Sequence, residues 1–313
     1  MAKGRKRALW AGCALLLLLA AAGAALFFTG GWRVLLRQPD ENGLYCYRGS
    51  WVEAPDPQEE ATMDWFANKL LSLQEEYLTE ENRAFWALAP DKSCYAQGSG
   101  WPALDLAAMQ QGLRQRLQGM EEVDLSPALS LEDYYLTDPH WRQERLEGVV
   151  GVLGEHMGFS VDFSQFTAHS SPGFYGFYSL QSGCSLAEEE LVYLTSPFTE
   201  AAQVESYQVP DEPRVYHLEA LSTDHPYNVF LSGASPVVAI RETGAGTGRE
   251  LVIFGDSFAS SLAPLLCGAY DAITILDIRY MAPQLIPEFV TFQNQDVLFL
   301  YSTSLANRRG ILR

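Results

Sequence analysis

A serine hydroxyl becomes a nucleophile when an imidazole takes its proton and a carboxylate orients that imidazole. In this chain of 313 residues the groups best placed for such chemistry are Ser257 and the pair Asp138 and His140. Ser257 stands in Gly255-Asp256-Ser257-Phe258. This turn directly follows the apolar run Leu251 to Phe254 and precedes a helical stretch from Ala259 to Leu266. A serine at a strand-to-helix turn sits at the carboxyl edge of a sheet, where ligands of α/β proteins bind. The helix N-terminus adds free N–H groups and a positive dipole end that suit an oxyanion. Gly255 permits the tight backbone that such a turn needs. The competing reading is that Asp256 and Ser257 only cap the helix.

A serine needs a base, and the chain offers five histidines. His156 falls near the end of a helical stripe. His225 follows Asp224, but adjacent side chains on an extended segment point to opposite sides. His140 stands out, within Tyr134-Tyr135-Leu136-Thr137-Asp138-Pro139-His140-Trp141. In an extended segment its spacing from Asp138 puts both side chains on one face. Pro139 biases Asp138 toward extended backbone. Asp138 then accepts from one ring nitrogen, and the other nitrogen is left to take the Ser257 proton. A turn before a helix is the alternative, with Thr137 or Asp138 as N-cap and His140 in the first turn.

Elements able to position these residues are legible on either side. Phe66, Leu70, Leu73 and Tyr77 recur at helical spacing, as do Met109, Leu113, Leu117 and Met120. Leu146, Val149, Val150, Leu153 and Met157 mark a third helical face. Ala84–Leu88, Leu251–Phe254, Ala272–Leu276 and Val297–Tyr301 read as buried strands. Strands alternating with helices predict an α/β fold with a mostly parallel sheet flanked by helices. The stretch from Phe159 to Arg241 is rich in Ser, Gly, Tyr and Phe. It reads as an irregular middle insertion of loops and short strands.

Hydrophobic residues at 48% supply a sizeable core, and charged residues at 19% argue against a disordered chain. The net charge of −18 excludes nucleic acid as a partner, because phosphate binding needs a basic face. Lys3, Arg5, Lys6 and Arg7 precede an uncharged, mostly apolar run from Ala8 to Phe28. That run is long enough to span a membrane, and its basic flank would stay cytoplasmic. The expected organisation is a basic flank and membrane anchor over 1–30, a juxtamembrane linker over 31–43 and one extracytoplasmic domain over 44–313. A cleavable signal peptide is the alternative, although the length of the run and its bulky Phe27-Phe28 end favour an uncleaved anchor. Cys46, Cys94, Cys184 and Cys267 lack metal-type spacing, and either disulfides or buried thiols fit them. There is no P-loop, no G-x-G-x-x-G after a strand and no His/Cys cluster, so neither metal nor nucleotide cofactor is expected.

The segment YYLTDPHW resembles the signature of bacterial DHHW proteins, whose motif reads Asp-His-His-Trp. PDK at Pro90–Lys92, GFYSLQSG at Gly176–Gly183, FLSGASP at Phe230–Pro236, GDSFASSLAPLL at Gly255–Leu266 and DIRYM at Asp277–Met281 follow in that family's order. Several spaced motifs in order are more specific than any one of them. The DHHW family is in turn similar to the SGNH-like domains of alginate O-acetyltransferases. This resemblance implies Asp138 as orienting acid, His140 as base and Ser257 as nucleophile. Gly233, Arg279 and Asp256 become oxyanion or substrate-binding groups. It further implies an extracytoplasmic O-acyltransferase or esterase acting on a cell-envelope polysaccharide or a small acyl ester. A membrane-embedded acetyl donor protein would be a further partner. Two positions depart from the pattern. Pro139 replaces the first His of the motif, and Ala234 stands where the family shows Asn. Losing one side-chain oxyanion donor costs about 2.7–4 kcal/mol of transition-state stabilisation. The alternative expectation is therefore a catalytically weak SGNH-like protein that binds glycan or an assembly partner.

Overall fold

Apolar runs without alternation suit strands buried on both faces, and the centre of the molecule is built from them. The computed structural model describes residues 31–182, 188–207 and 212–313, with positions 18, 21 and 23 isolated ahead of them. Most of the apolar run from Ala8 to Phe28, together with Cys13 and Cys184, lies outside the described residues. Among the described residues no helix is long and apolar enough to cross a membrane.

In chain order the first strands are β1 (Leu44–Tyr47), β2 (Ser50–Glu53), β3 (Arg83–Ala89) and β4 (Glu121–Glu122). The middle of the chain supplies β5 (Thr167–Phe174), β6 (Glu189–Thr195), β7 (Gln203–Tyr207) and β8 (Val237–Arg241). The last third supplies β9 (Glu250–Gly255), β10 (Ala272–Leu276) and β11 (Asp296–Ser302). Seven of these form one sheet in the order β4-β3-β11-β9-β10-β8-β7. Strands β4, β3, β11, β9 and β10 run parallel, while β8 is antiparallel to both β10 and β7. β1–β2 and β5–β6 are separate antiparallel hairpins. The middle is thus only partly an insertion. Its β5–β6 hairpin stands apart, but β7 and β8 complete the edge of the main sheet.

Strand alternation sorts the core into two layers. Phe85, Leu251, Ile253, Ile273, Leu298 and Leu300 face one side. There they pack on helix Glu147–Met157, which Gly158 closes in the left-handed conformation at φ +74°. Trp86, Leu88, Val252, Phe254, Val297 and Phe299 face the other side. They pack on helices Glu60–Tyr77 and Leu106–Arg116, the latter capped by the Asp105 side chain at 3.0 Å from Ala108 N. The three helices fall where their apolar stripes place them, although Leu117 and Met120 lie beyond the end of the second and Leu146 precedes the third. Cys46 is exposed, Cys94 half-buried and Cys267 buried, and all three are free thiols.

β9 is flanked by β10 on one side and β11 on the other. The chain therefore passes to one side of β9 and later returns on the other. In open α/β sheets the crevice above the carboxyl end of such a strand is the usual ligand position.

Candidate active site

Ser257 is the second residue beyond β9 and precedes a short helix, Phe258–Leu262. Its backbone is right-handed, φ −61° and ψ −14°, so the turn holds no left-handed strain. Asp256 fixes this turn. Its Oδ1 accepts the Phe258 N–H at 3.1 Å, and its Oδ2 accepts the Ser302 N–H at the end of β11 at 2.8 Å. A Cβ at Gly255 would lie 2.8 Å from the Leu300 carbonyl oxygen, so glycine lets β9 approach β11 at this point. The Ser257 N–H donates to no protein group among the described residues.

The Asp138–His140 segment is neither extended nor the first turn of a helix. It is the tip of a loop closed by an antiparallel bridge between Tyr134 and Trp141. Asp138 Oδ1 accepts the backbone N–H of His140 at 3.0 Å, an Asx-type turn. The same oxygen lies 2.6 Å from His140 Nδ1. The two-residue spacing thus works through a side-chain turn and not through strand alternation. His140 Nε2 lies 2.7 Å from Ser257 Oγ, across 117 residues of sequence. An ionised carboxylate only accepts, so Nδ1 carries the ring proton, and in a neutral ring Nε2 is left as acceptor for the serine O–H. Asp138 is buried, and its Oδ2 accepts the Phe177 N–H at 2.9 Å. Burial pushes its carboxyl up. The His140 ring and the hydrogen bonds from His140 and Phe177 outweigh this and hold it below the ordinary carboxylate value.

Ser261 ties the two segments together. Its Oγ is 2.9 Å from both Trp141 Nε1 and the Tyr227 hydroxyl, and its carbonyl accepts Gln143 Nε2 at 2.7 Å. Ser261 lies one helical turn after Ser257, so Trp141 and Gln143, which follow His140, and Tyr227 are fastened to the helix that carries the serine. The His140 ring stacks on Tyr227 with centroids 3.9 Å apart and planes 9° from parallel.

Polar side chains far away in sequence hold the histidine loop. Buried Lys92 donates through Nζ to the carbonyls of Tyr135 at 2.9 Å and Leu136 at 3.3 Å. Glu189 accepts the N–H groups of Leu136 at 2.8 Å and Thr137 at 2.9 Å, and Arg142 pairs with it at 2.5 Å. Burial pushes the Lys92 ammonium down to about 7, against the pull of Asp138 and Glu189. Gly176 completes the clamp, because a Cβ there would lie 2.3 Å from Asp138 Cβ and 2.5 Å from the Thr137 carbonyl oxygen. Sequence reasoning singled out Lys92 only within the PDK motif and Ser261 only within GDSFASSLAPLL, and missed Glu189 and Tyr227. No local pattern marks those two, since each acts through partners in other parts of the chain.

Asp138, His140, Tyr227 and Ser257 border a cleft of about 390 Å³ that also reaches Gly233, Ala234 and Arg279. The three residues expected to bind an oxyanion or substrate are largely engaged elsewhere. Both oxygens of Asp256 are taken by main-chain N–H groups, and a carboxylate cannot donate to an oxyanion. Arg279 forms a forked pair with Asp277, at 2.6 Å for the shortest contact. The Gly233 N–H donates to the Phe230 carbonyl at 3.1 Å. Gly233, at φ +92°, follows Leu231 and Ser232, which are also left-handed at φ 52° and 63°. For a non-glycine residue that conformation costs roughly 1–2 kcal/mol, so the segment beside the cleft is strained.

Fold and site together define a mixed α/β protein with a serine–histidine–aspartate constellation at the switch point of its sheet. No family model and no curated protein matches the sequence. Solved structures do match the fold. A DHHW family protein from Eubacterium siraeum aligns with a TM-score of 0.67 at 20% identity, over 87% of this chain and 94% of that one. Bacillus cereus PatB1 aligns with a TM-score of 0.64 at 14% identity, over 86% of this chain and 98% of its own. The structure of PatB1 with a sulfonyl adduct gives 0.64 at 16% identity over the same shares. At these identities the likeness is one of fold. The chain shares the fold of a DHHW family protein, as its ordered motifs led one to expect.

Proposed function

We propose that this protein is an O-acyltransferase or esterase that acts on a polysaccharide through an acyl-enzyme on Ser257. The observation that carries the reading is the pair of contacts on one imidazole, 2.7 Å from Nε2 to Ser257 Oγ and 2.6 Å from Nδ1 to Asp138. Ser257 Oγ attacks an ester carbonyl while His140 Nε2 takes its proton. Asp138 holds the ring tautomer and balances the imidazolium. The oxyanion meets the Ser257 N–H at the start of the short helix. Collapse breaks the ester bond, and the departing alkoxide takes the proton from His140. A sugar hydroxyl or water then attacks the acyl-serine and gives its proton to His140; the Ser257 Oγ–acyl bond breaks, Oγ takes that proton back, and the acyl group leaves on the acceptor. The basic flank and apolar run at the N-terminus support a membrane-anchored, extracytoplasmic placement of the domain. A membrane-embedded acetyl donor would be compatible with that placement.

The test is a sulfonyl fluoride probe, with the modified peptide located by mass spectrometry. Modification confined to Ser257, absent in Ser257→Ala and reduced in His140→Ala, is the expected result. One observation favours a second reading, a glycan-binding protein with little turnover: Ala234 lines the cleft with no side-chain donor. Folded protein whose Ser257 stays unmodified would establish that reading instead.

A further inference from the structure

Few large rings among the described residues are strongly exposed, so those that are carry information. Among the described residues the strongly exposed aromatics are Tyr175 at 43%, Phe177 at 46%, Tyr280 at 47% and Tyr207 at 50%. The first three line the cleft above Ser257. Tyr175 and Phe177 border its Asp138 side, where the Phe177 N–H reaches the Asp138 carboxylate at 2.9 Å. Tyr280 borders the side formed by the end of β10, with the Arg279 guanidinium 5.1 Å over its ring.

The rest of the cleft decides what such rings would hold. Ser260, Ser304 and Asn228 add hydroxyl and amide groups, and aliphatic side chains are few. An acyl chain calls for an enclosed aliphatic groove. A pyranose presents an apolar C–H face with hydroxyls around its edge, which matches flat rings beside short polar side chains. Charge narrows the class further. The lining carries the carboxylates of Glu53, Asp91, Asp138, Asp224 and Asp256. Its two guanidinium groups are already matched, Arg279 by Asp277 at 2.6 Å and Arg308 by Glu53 at 2.7 Å and Asp56 at 3.0 Å. The net charge of −18 adds long-range repulsion of polyanions.

We infer that Tyr175, Phe177 and Tyr280 are stacking subsites for an uncharged glycan chain laid across Ser257, in a cleft that selects against acidic sugars. This inference rests on the polysaccharide reading above and names its substrate class. Ser257→Ala protein, titrated by calorimetry with an N-acetylglucosamine hexamer and a galacturonic acid hexamer, tests it. Saturable binding of the neutral oligomer and none of the hexauronate is expected. Adding Tyr175→Ala or Tyr280→Ala weakens that binding roughly tenfold, the scale of one aromatic contact. Tyr280→Phe, which keeps the ring, restores it. Equal affinity for the two oligomers, binding indifferent to loss of the rings, or no binding of the neutral oligomer would overturn the inference. Sulfonyl labelling of Ser257 in the wild type separates the two failures. A labelled serine without glycan binding ends only this inference, and an unlabelled one ends the acyl-transfer reading.

Discussion

The serine and the histidine of the site are held in different ways. Ser257 hangs from the central strand of a parallel sheet, and main-chain ladders to β10 and β11 place it. His140 lies on a loop that no ladder supports beyond the single Tyr134–Trp141 bridge. Apart from the Trp51 and Tyr178 N–H groups on the Leu136 and Thr137 carbonyls, its position comes from Lys92 on two carbonyls, Glu189 on two N–H groups, and Gly176 yielding space to Asp138. A ladder tolerates exchange of most side chains, because the backbone carries it. A polar clamp depends on each member, because any partner removed leaves a buried group unpaired. The two halves of the site should therefore respond unequally to substitution.

Removing the clamp cation is the severest test of that asymmetry. Lys92→Met leaves the Tyr135 carbonyl without a donor beside the Glu189 carboxylate, while the Leu136 carbonyl keeps the Trp51 N–H; stability falls by about 3–5 kcal/mol, read from urea unfolding. Next comes Gly176→Ala, whose methyl must displace the Asp138 loop. Turnover of an aryl acetate falls about a hundredfold, the scale expected when a catalytic group moves by about 1 Å. On the strand side, Gly255→Ala meets the Leu300 carbonyl and costs about 1–3 kcal/mol. If it costs more than Lys92→Met, the ladder is the weaker support and the asymmetry is reversed.

The fourth test is a pH dependence. Lys92 titrates near 7 in the folded protein and near 10.5 when unfolded. The unfolded chain binds more protons between these values, so this group adds stability as pH rises through that window and loses it as pH falls toward 7. The difference in melting temperature between wild type and Lys92→Met should widen from pH 7 to pH 10. A constant gap would mean that Lys92 is not desolvated.

The same division governs what the sequence disclosed. The four apolar runs read as strands lie within β3, β9, β10 and β11, because strands buried on both faces read as short, continuous apolar runs too brief for a helix. β7 was hidden because Gln203-Val204-Glu205-Ser206-Tyr207 is a half-exposed edge. β8 is apolar, but it pairs with β7 and β10 only through long connections. Ser257 was legible from its strand-to-helix turn. Asp138 and His140 were legible as a pair, yet their geometry was not: an Asx turn replaces the extended segment. Lys92 and Glu189 have roles fixed only by folding, since each meets the loop from more than 40 residues away.

The most direct measurement of the central claim is acid-quenched peptide mapping after mixing the wild-type protein with an aryl acetate. An acetyl group on Ser257 that forms within the burst of released phenol, and is discharged when a glycan acceptor is added, is the predicted result. Acetylation of lysines alone, with Ser257 unmodified throughout turnover, would contradict it.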